Sequence, residues 1–182
     1  MSKKTIGIVV GSLRKESFNK SIANYVASVI PAEYEVKFID ISDIDMFNQD
    51  LESNPPASWK RLREEVKAAD AYLFFTPEYN RSIPAVLKNV LDVASRPYGQ
   101  NVWAHKPAGI VSVSMGGLAG FGANHHLRQT LSFLDVYPLQ QPEAYIGNVM
   151  GLLDEKGNLV NEDTKGFLKS YVDAFTAWIE KF

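Results

Sequence analysis

A chain of 182 residues with 46% hydrophobic and 22% charged side chains has the size and composition of one globular domain, expected over 1–182. A net charge of −2 without a basic tract excludes a nucleic-acid-binding surface, and no apolar run approaches the ~20 residues of a membrane span. No cysteine is present, so disulfides, thiolate nucleophiles and thiolate metal sites are excluded; three histidines argue against a His-rich metal centre, and any redox chemistry belongs to a bound cofactor.

The start, Met1-Ser2-Lys3-Lys4, runs straight into Ile6-Gly7-Ile8-Val9-Val10, too short a lead for a signal peptide, so the chain is expected in the cytoplasm. Short apolar runs then alternate with segments of helical period. Thr5–Val10 is predicted as the first strand. Phe18, Ile22, Val26 and Val29 mark a helix with Ser17 as N-cap and Pro31 just past its end. Glu35–Asp40 alternates as a less buried strand, and residues 41–56 are irregular, with the breaker Asn54-Pro55-Pro56. Ser58 is placed as the cap of a helix carrying Trp59, Leu62, Val66 and Ala69. Ala71–Thr76, a continuously apolar third strand, stops at Pro77, and a helix follows from near Pro84 to Ser95. Strand four is read at Ala108–Ser114, followed by the loop Met115–Ala123 and a helix marked by Leu127, Leu131 and Leu134. Strand five spans Val136–Tyr145 and is interrupted by Pro138 and Pro142. An exposed turn at Asp154–Asn158 precedes a last helix, Asp163–Phe182, with Leu168, Tyr171, Phe175, Trp178 and Phe182 on one face.

Five βα units closed by right-handed crossovers make a flavodoxin-like α/β fold. It is a doubly wound, five-stranded parallel sheet of order 2-1-3-4-5 with helices on both faces. Ligands then sit beyond the carboxyl ends of strands one, three and four. After strand one, Gly11-Ser12-Leu13-Arg14 leads to Ser17-Phe18-Asn19: a tight turn, short hydroxyls, a fixed cation and a helix start, which together suit a phosphate monoester. The same residues also describe a plain capped helix with a solvated arginine. After strand three, Pro77-Glu78-Tyr79-Asn80 is stiffened by Pro77 and Pro84 and suits a flat heterocycle, against which Tyr79 packs unless it folds over the core. After strand four, Ser114-Met115-Gly116-Gly117 opens a stretch with four glycines in the seven residues 116–122, either a close backbone approach to a ligand or a mobile loop without one. No G-x-G-x-x-G or Walker lysine follows strand one, and the acidic residues of a response regulator are missing.

At these residues the chain resembles the NADPH-dependent FMN reductase family, which includes bacterial quinone and chromate reductases and azoreductases. The similarity lies in Gly11-Ser12-Leu13-Arg14 with Ser17-Phe18-Asn19, in Thr76-Pro77-Glu78-Tyr79-Asn80 with Ser82, Pro84, Leu87-Lys88-Asn89 and Asp92, and in Ser114-Met115-Gly116-Gly117 with His126-Leu127-Arg128-Gln129. The chain departs from the family's usual residues at Arg81 and Val93. The resemblance implies that Ser12, Arg14, Ser17, Phe18 and Asn19 surround the FMN phosphate. It places Pro77, Glu78, Tyr79 and Asn80 along the isoalloxazine, with Ser114, Met115, Gly116 and Gly117 on its other edge.

FMN then performs the hydride chemistry, with NADPH or NADH as co-substrate and a small-molecule acceptor: a quinone, free flavin, azo compound or metal oxyanion. The expected cycle is ping-pong. No side chain is assigned as a catalytic acid or base, and no metal ligand is assigned. His125 and His126 are read as structural or interface groups. The helix through Val86–Ala94 is apolar on more than one side, and the resemblance implies a homodimer through it, sometimes paired into tetramers. The other class of reading is a flavodoxin-like FMN-binding electron carrier without turnover of its own.

Overall fold

In the computed structural model, residues 3–182 are described; the start read at Met1-Ser2 lies outside them. The strands are β1 (Thr5–Val10), β2 (Glu35–Ile39), β3 (Ala71–Thr76), β4 (Pro107–Val113), β5 (Tyr137–Pro138) and β6 (Ala144–Ile146). The helices are α1 (Phe18–Val29), α2 (Ala57–Ala68), α3 (Ala85–Ser95), α4 (Phe121–Phe133) and α5 (Glu162–Ile179). The order is β2-β1-β3-β4-β5, all parallel, with β6 also paired to β4. That is the doubly wound, flavodoxin-like arrangement, whose switch point falls between β1 and β3.

β1, β3 and β4 are buried at every residue because helices cover both faces, and this is why they read as unbroken apolar runs. Side chains alternate across the sheet. Tyr72 and Phe74 meet Leu62 and Val66 of α2, Leu87 and Val90 of α3, and Leu127 and Leu131 of α4. Leu73 and Phe75 meet Ile22 and Val26 of α1 and Tyr171 and Phe175 of α5. β2 is an edge strand with most of its residues exposed, which explains its weaker pattern.

Several expectations are corrected. Ser58 does not cap α2, which starts at Ala57 after Pro56; the Ser58 hydroxyl is drawn off to the Asp45 carboxylate at 2.6 Å. α4 starts at Phe121, so the glycine loop is shorter than Met115–Ala123. α5 ends at Ile179, and Phe182 lies outside the buried face, half-exposed, with its ring stacked on Tyr137 at 4.9 Å. The fifth strand is broken in two. Between β5 and β6 the Ile110 backbone has no strand on the side away from β3, and Tyr171 of α5 fills the gap. Its hydroxyl accepts from the Ile110 N–H (2.7 Å) and donates to the Ile110 carbonyl (3.1 Å). Gly109 makes room for it, since a Cβ there would stand 2.7 Å from the Tyr171 hydroxyl.

α3 also has no surplus apolar side. Asn89 accepts from the Phe47 N–H (2.8 Å) and donates to the Ile44 and Asp45 carbonyls, so residues 44–47 cover the face turned from the sheet. The most exposed large apolar groups on this layer are Tyr98 (91% exposed) and Phe133 (89%), just past α3 and at the end of α4.

Candidate active site

The loop after β1 begins at Gly11, where a Cβ would come within 3.1 Å of the Leu87 side chain and 3.3 Å of the Phe75 carbonyl. The Gly11 N–H donates to that carbonyl at 2.8 Å and fixes the loop on β3. Ser17 caps α1, its Oγ accepting from the Lys20 N–H at 3.2 Å. The N–H groups of Phe18 and Asn19 have no intrahelical acceptor and carry the positive end of the helix dipole. Asn19 is 3% exposed and its Oδ1 lacks any partner. Arg14 is exposed, with its guanidinium 5.3 Å over the Phe18 ring.

After β3 the chain makes a two-residue turn. Tyr79 and Ser82 exchange two backbone hydrogen bonds of 2.9 Å, and the corner residues Asn80 and Arg81 both have positive φ, 50° and 64°. This matches the handedness of a type I′ hairpin, in which glycine usually holds Arg81's position. Tyr79 stands out from the turn, 52% exposed, and does not fold over the core. The Glu78 carboxylate is taken up by protein groups: Oε2 accepts from the Ala123 N–H at 3.0 Å, and Oε1 accepts from Arg81 Nη1 at 2.8 Å. Burial pushes its pKa up, but the Ala123 and Gly122 amides and the Arg81 guanidinium outweigh this and hold it below the usual carboxylate range.

The loop after β4 is held by several hydrogen bonds. Ser114 donates its N–H to the Ile146 carbonyl (2.9 Å) and accepts from the Gly116 N–H at Oγ (3.2 Å). The buried Ser112 hydroxyl donates to the Ala119 carbonyl at 2.7 Å. Gly147 lies beneath, where a Cβ would come 3.1 Å from the Gly116 carbonyl and 3.2 Å from Ala119 Cβ. Above the loop the situation is reversed. A Cβ on Gly117 would meet nothing within 4 Å, and one on Gly116 only Ser114 Oγ at 3.9 Å. No neighbouring protein group demands these two glycines, which leave room for the edge of a ligand.

The three loops meet at a cavity of about 130 Å³ bordered by Ser12, Arg14, Phe18, Asn19, Pro77, Glu78, Tyr79, Ser114 and Met115, with Val113 beneath. Ser17 does not border it: it is buried as the helix cap and lines the neighbouring cleft between Phe18 and Met150, while Asn80 sits at the hairpin corner and Gly116 and Gly117 continue the exposed wall. Pockets that enclose a drug-sized ligand are usually ~300–1,000 Å³. This cavity has room for a small end group only, and its rim is open. Bigger clefts flank it, one of about 310 Å³ beside Lys20 and Phe38 and one of about 470 Å³ between Phe18 and Met150, but neither lies where the three loops meet. Val113, Gly122, Gly147 and the Ser82–His126 contact (Oγ to Nδ1, 2.7 Å) were not foreseen. Only a glycine directly after an apolar strand hinted at Gly147. Among the described residues no group of three or more His, Asp or Glu is placed to hold a metal, and no helix is long and apolar enough to cross a membrane.

Residues 4–151 match the family described as NADPH-dependent FMN reductase. A quinone reductase from Pseudomonas putida is 49% identical over 177 residues, covering 97% of this chain and 95% of the relative. A 2-hydroxy-1,4-benzoquinone reductase from a Burkholderia species is 42% identical over 174 residues, covering 96% and 95%. Among solved structures, the flavoenzyme NAD(P)H:(acceptor) oxidoreductase from Paracoccus denitrificans superposes with a TM-score of 0.91 at 38% identity, covering 98% of each chain. Three loops built on one sheet edge and relatives matched along nearly their whole length lead to the same conclusion: this chain belongs to the NADPH-dependent FMN reductase family.

Proposed function

We propose that the protein is an FMN-dependent oxidoreductase that takes electrons from NADPH or NADH and delivers them to a quinone. The FMN phosphate lies in the Ser12–Asn19 loop and its ring between the two loops beyond it. The observation that carries this reading is the cradle at the start of α1. It offers two unsatisfied helix N–H groups, the Ser12 and Ser17 hydroxyls, the Arg14 charge and the buried Asn19 amide. A buried amide oxygen without a donor marks a missing partner. With the amide turned over, Asn19 presents Nδ2 to phosphate oxygens.

Bound FMN supplies two-electron hydride chemistry. The residues of this chain bind and orient it. Arg14 and the helix dipole offset the phosphate charge. Pro77 stiffens one wall, Tyr79 and Met115 flank the ring, and Gly116 and Gly117 admit its edge. The N–H groups of Glu78, Asn80 and Gly117 have no acceptor among the described residues, and they are available to offset negative charge on a ring edge. No side chain is required as a general acid or base. One open face serves nicotinamide and acceptor in turn, which makes the kinetics ping-pong. It also admits free flavin, azo compounds or metal oxyanions.

We propose in addition that the chain works as a homodimer. The support is no longer α3 but the exposed Leu118 and Phe121 at the rim and Phe133 along α4, apolar groups that a second copy would cover. Light scattering at micromolar concentration is expected to give twice the chain mass, and a monomer refutes it.

The functional test is anaerobic stopped-flow on FMN-loaded protein. NADPH is expected to bleach the flavin and a benzoquinone to restore it, with parallel double-reciprocal plots in steady state. A flavin that stays oxidised under both NADPH and NADH rejects the function.

A further inference from the structure

Glu78 would be expected to touch the ligand, yet its oxygens are committed elsewhere. Oε2 holds the Ala123 N–H in the first turn of α4, and Oε1 holds Arg81. The side chain is only 11% exposed. An ionised carboxylate suits this place because the first-turn amides of α4 and its dipole favour negative charge. Gly122 completes the fit: a Cβ there would stand 2.9 Å from Glu78 Oε2 and 3.1 Å from the Arg81 carbonyl. Arg81 keeps a left-handed conformation (φ 64°), uncommon for a long side chain, at a corner from which its guanidinium reaches back to Glu78.

We propose that Glu78 is a positioning residue. By bridging the turn after β3 to the first turn of α4, which ends the glycine loop after β4, it sets the separation of the two walls between which the FMN ring is seated. This rests on the cofactor placement proposed above. Two alternatives fare worse. A proton donor at neutral pH needs a raised pKa, and that of Glu78 is lowered. A direct ligand to the ring needs an exposed acceptor, and this side chain is only 11% exposed, with each oxygen already accepting from a protein group. A merely fold-stabilising ion pair predicts a lower Tm with unchanged FMN binding.

The test compares wild type with Glu78→Gln, Glu78→Ala and Gly122→Ala as full-length proteins. Each is freed of flavin and titrated with FMN, following quenching of flavin fluorescence well below its Tm. Glu78→Gln keeps an acceptor for the Ala123 N–H but loses the charge, and is expected to bind FMN about tenfold more weakly. Glu78→Ala loses both contacts and is expected to fall below Glu78→Gln. Gly122→Ala forces the intact carboxylate aside and is expected to weaken FMN binding and to shift the bound flavin's visible spectrum. Because Gly122→Ala retains Glu78, it decides the matter if Glu78→Ala fails to fold. Variants that lose Tm but bind FMN with the wild-type constant and spectrum would overturn the positioning role while leaving the cofactor reading intact. Wild-type protein that fails to bind FMN would overturn both.

Discussion

Ser17 is the residue at which stability and cofactor binding separate most cleanly. Its Oγ accepts from the Lys20 N–H at 3.2 Å, which uses a lone pair and leaves the hydroxyl proton free for a phosphate oxygen. Ser17→Ala removes both functions. Loss of the cap costs about 1 kcal/mol, a Tm decrease of roughly 2–4 °C for a chain of this size. Loss of a charge-assisted donor costs about 1.5–3 kcal/mol of binding, or roughly a 10- to 150-fold weaker FMN complex. Ser17→Asp separates the two. Its carboxylate still accepts from the Lys20 N–H and suits the helix start, so the Tm of the apoprotein is expected to stay at the wild-type value. Against a phosphate about 4 Å away the same carboxylate is opposed by about 4 kcal/mol per charge pair at an effective dielectric near 20, and FMN binding falls by roughly 1000-fold. Calorimetry of the apoproteins and fluorescence titration with FMN measure the two quantities. A Ser17→Asp protein that binds FMN no worse than Ser17→Ala places the phosphate somewhere other than the start of α1.

Tyr171→Phe leaves the Ile110 N–H and carbonyl buried without partners. At about 1–3 kcal/mol for each such group the loss is a Tm decrease of several degrees or more; an unchanged Tm refutes the role. The two glycine walls are expected to respond oppositely. Gly147→Ala meets backbone at 3.1 Å and lowers the Tm, whereas Gly117→Ala points into open space, leaves the Tm unchanged and weakens FMN binding. Wild-type affinity in Gly117→Ala would remove the ligand from that wall. Burial, aided by a hydrogen bond to Glu180, raises Tyr34 to about 12; burial, aided by Glu143, raises Tyr145 to about 12. Burial also pushes up Tyr72 and Tyr171. The folded state therefore holds these protons more tightly than the unfolded chain, whose tyrosines titrate near ~10. The stability they contribute is complete below that pH and is lost as pH rises toward 12. No more than half of the eight tyrosines should show phenolate absorbance by about pH 11 in folded protein. Full ionisation with an unchanged circular dichroism spectrum would contradict this.

The parts of the site legible in advance are those made by neighbours in sequence. Ser17 capping α1, Gly11 turning the chain and the buried β1, β3 and β4 all follow from local spacing, and their order along the chain dictates which loops share one edge. Contacts between distant segments had no such trace. Nothing near Glu78 says that its carboxylate crosses to Ala123, 45 positions on, or that Gly122 is a glycine to receive it. The apolar surplus of α3 suggested an exposed interface because Asn89's hold on residues 44–47 is invisible to periodicity.

Strand five shows the same division. Pro138 and Pro142 announced an interruption, but only the packed structure shows Tyr171 reaching from α5 to the orphaned Ile110 backbone, past a glycine that leaves it space. From the sequence alone came the strand order, the positions of the three loops and the chemistry each offers, because burial pattern, capping and turn preference act within a few residues. Tertiary structure alone decided where the Glu78 carboxylate goes, how the turn after β3 is joined to the start of α4 and what covers α3. Those depend on which side chains end within hydrogen-bond reach after the helices have packed on the sheet, a distance that no local spacing encodes.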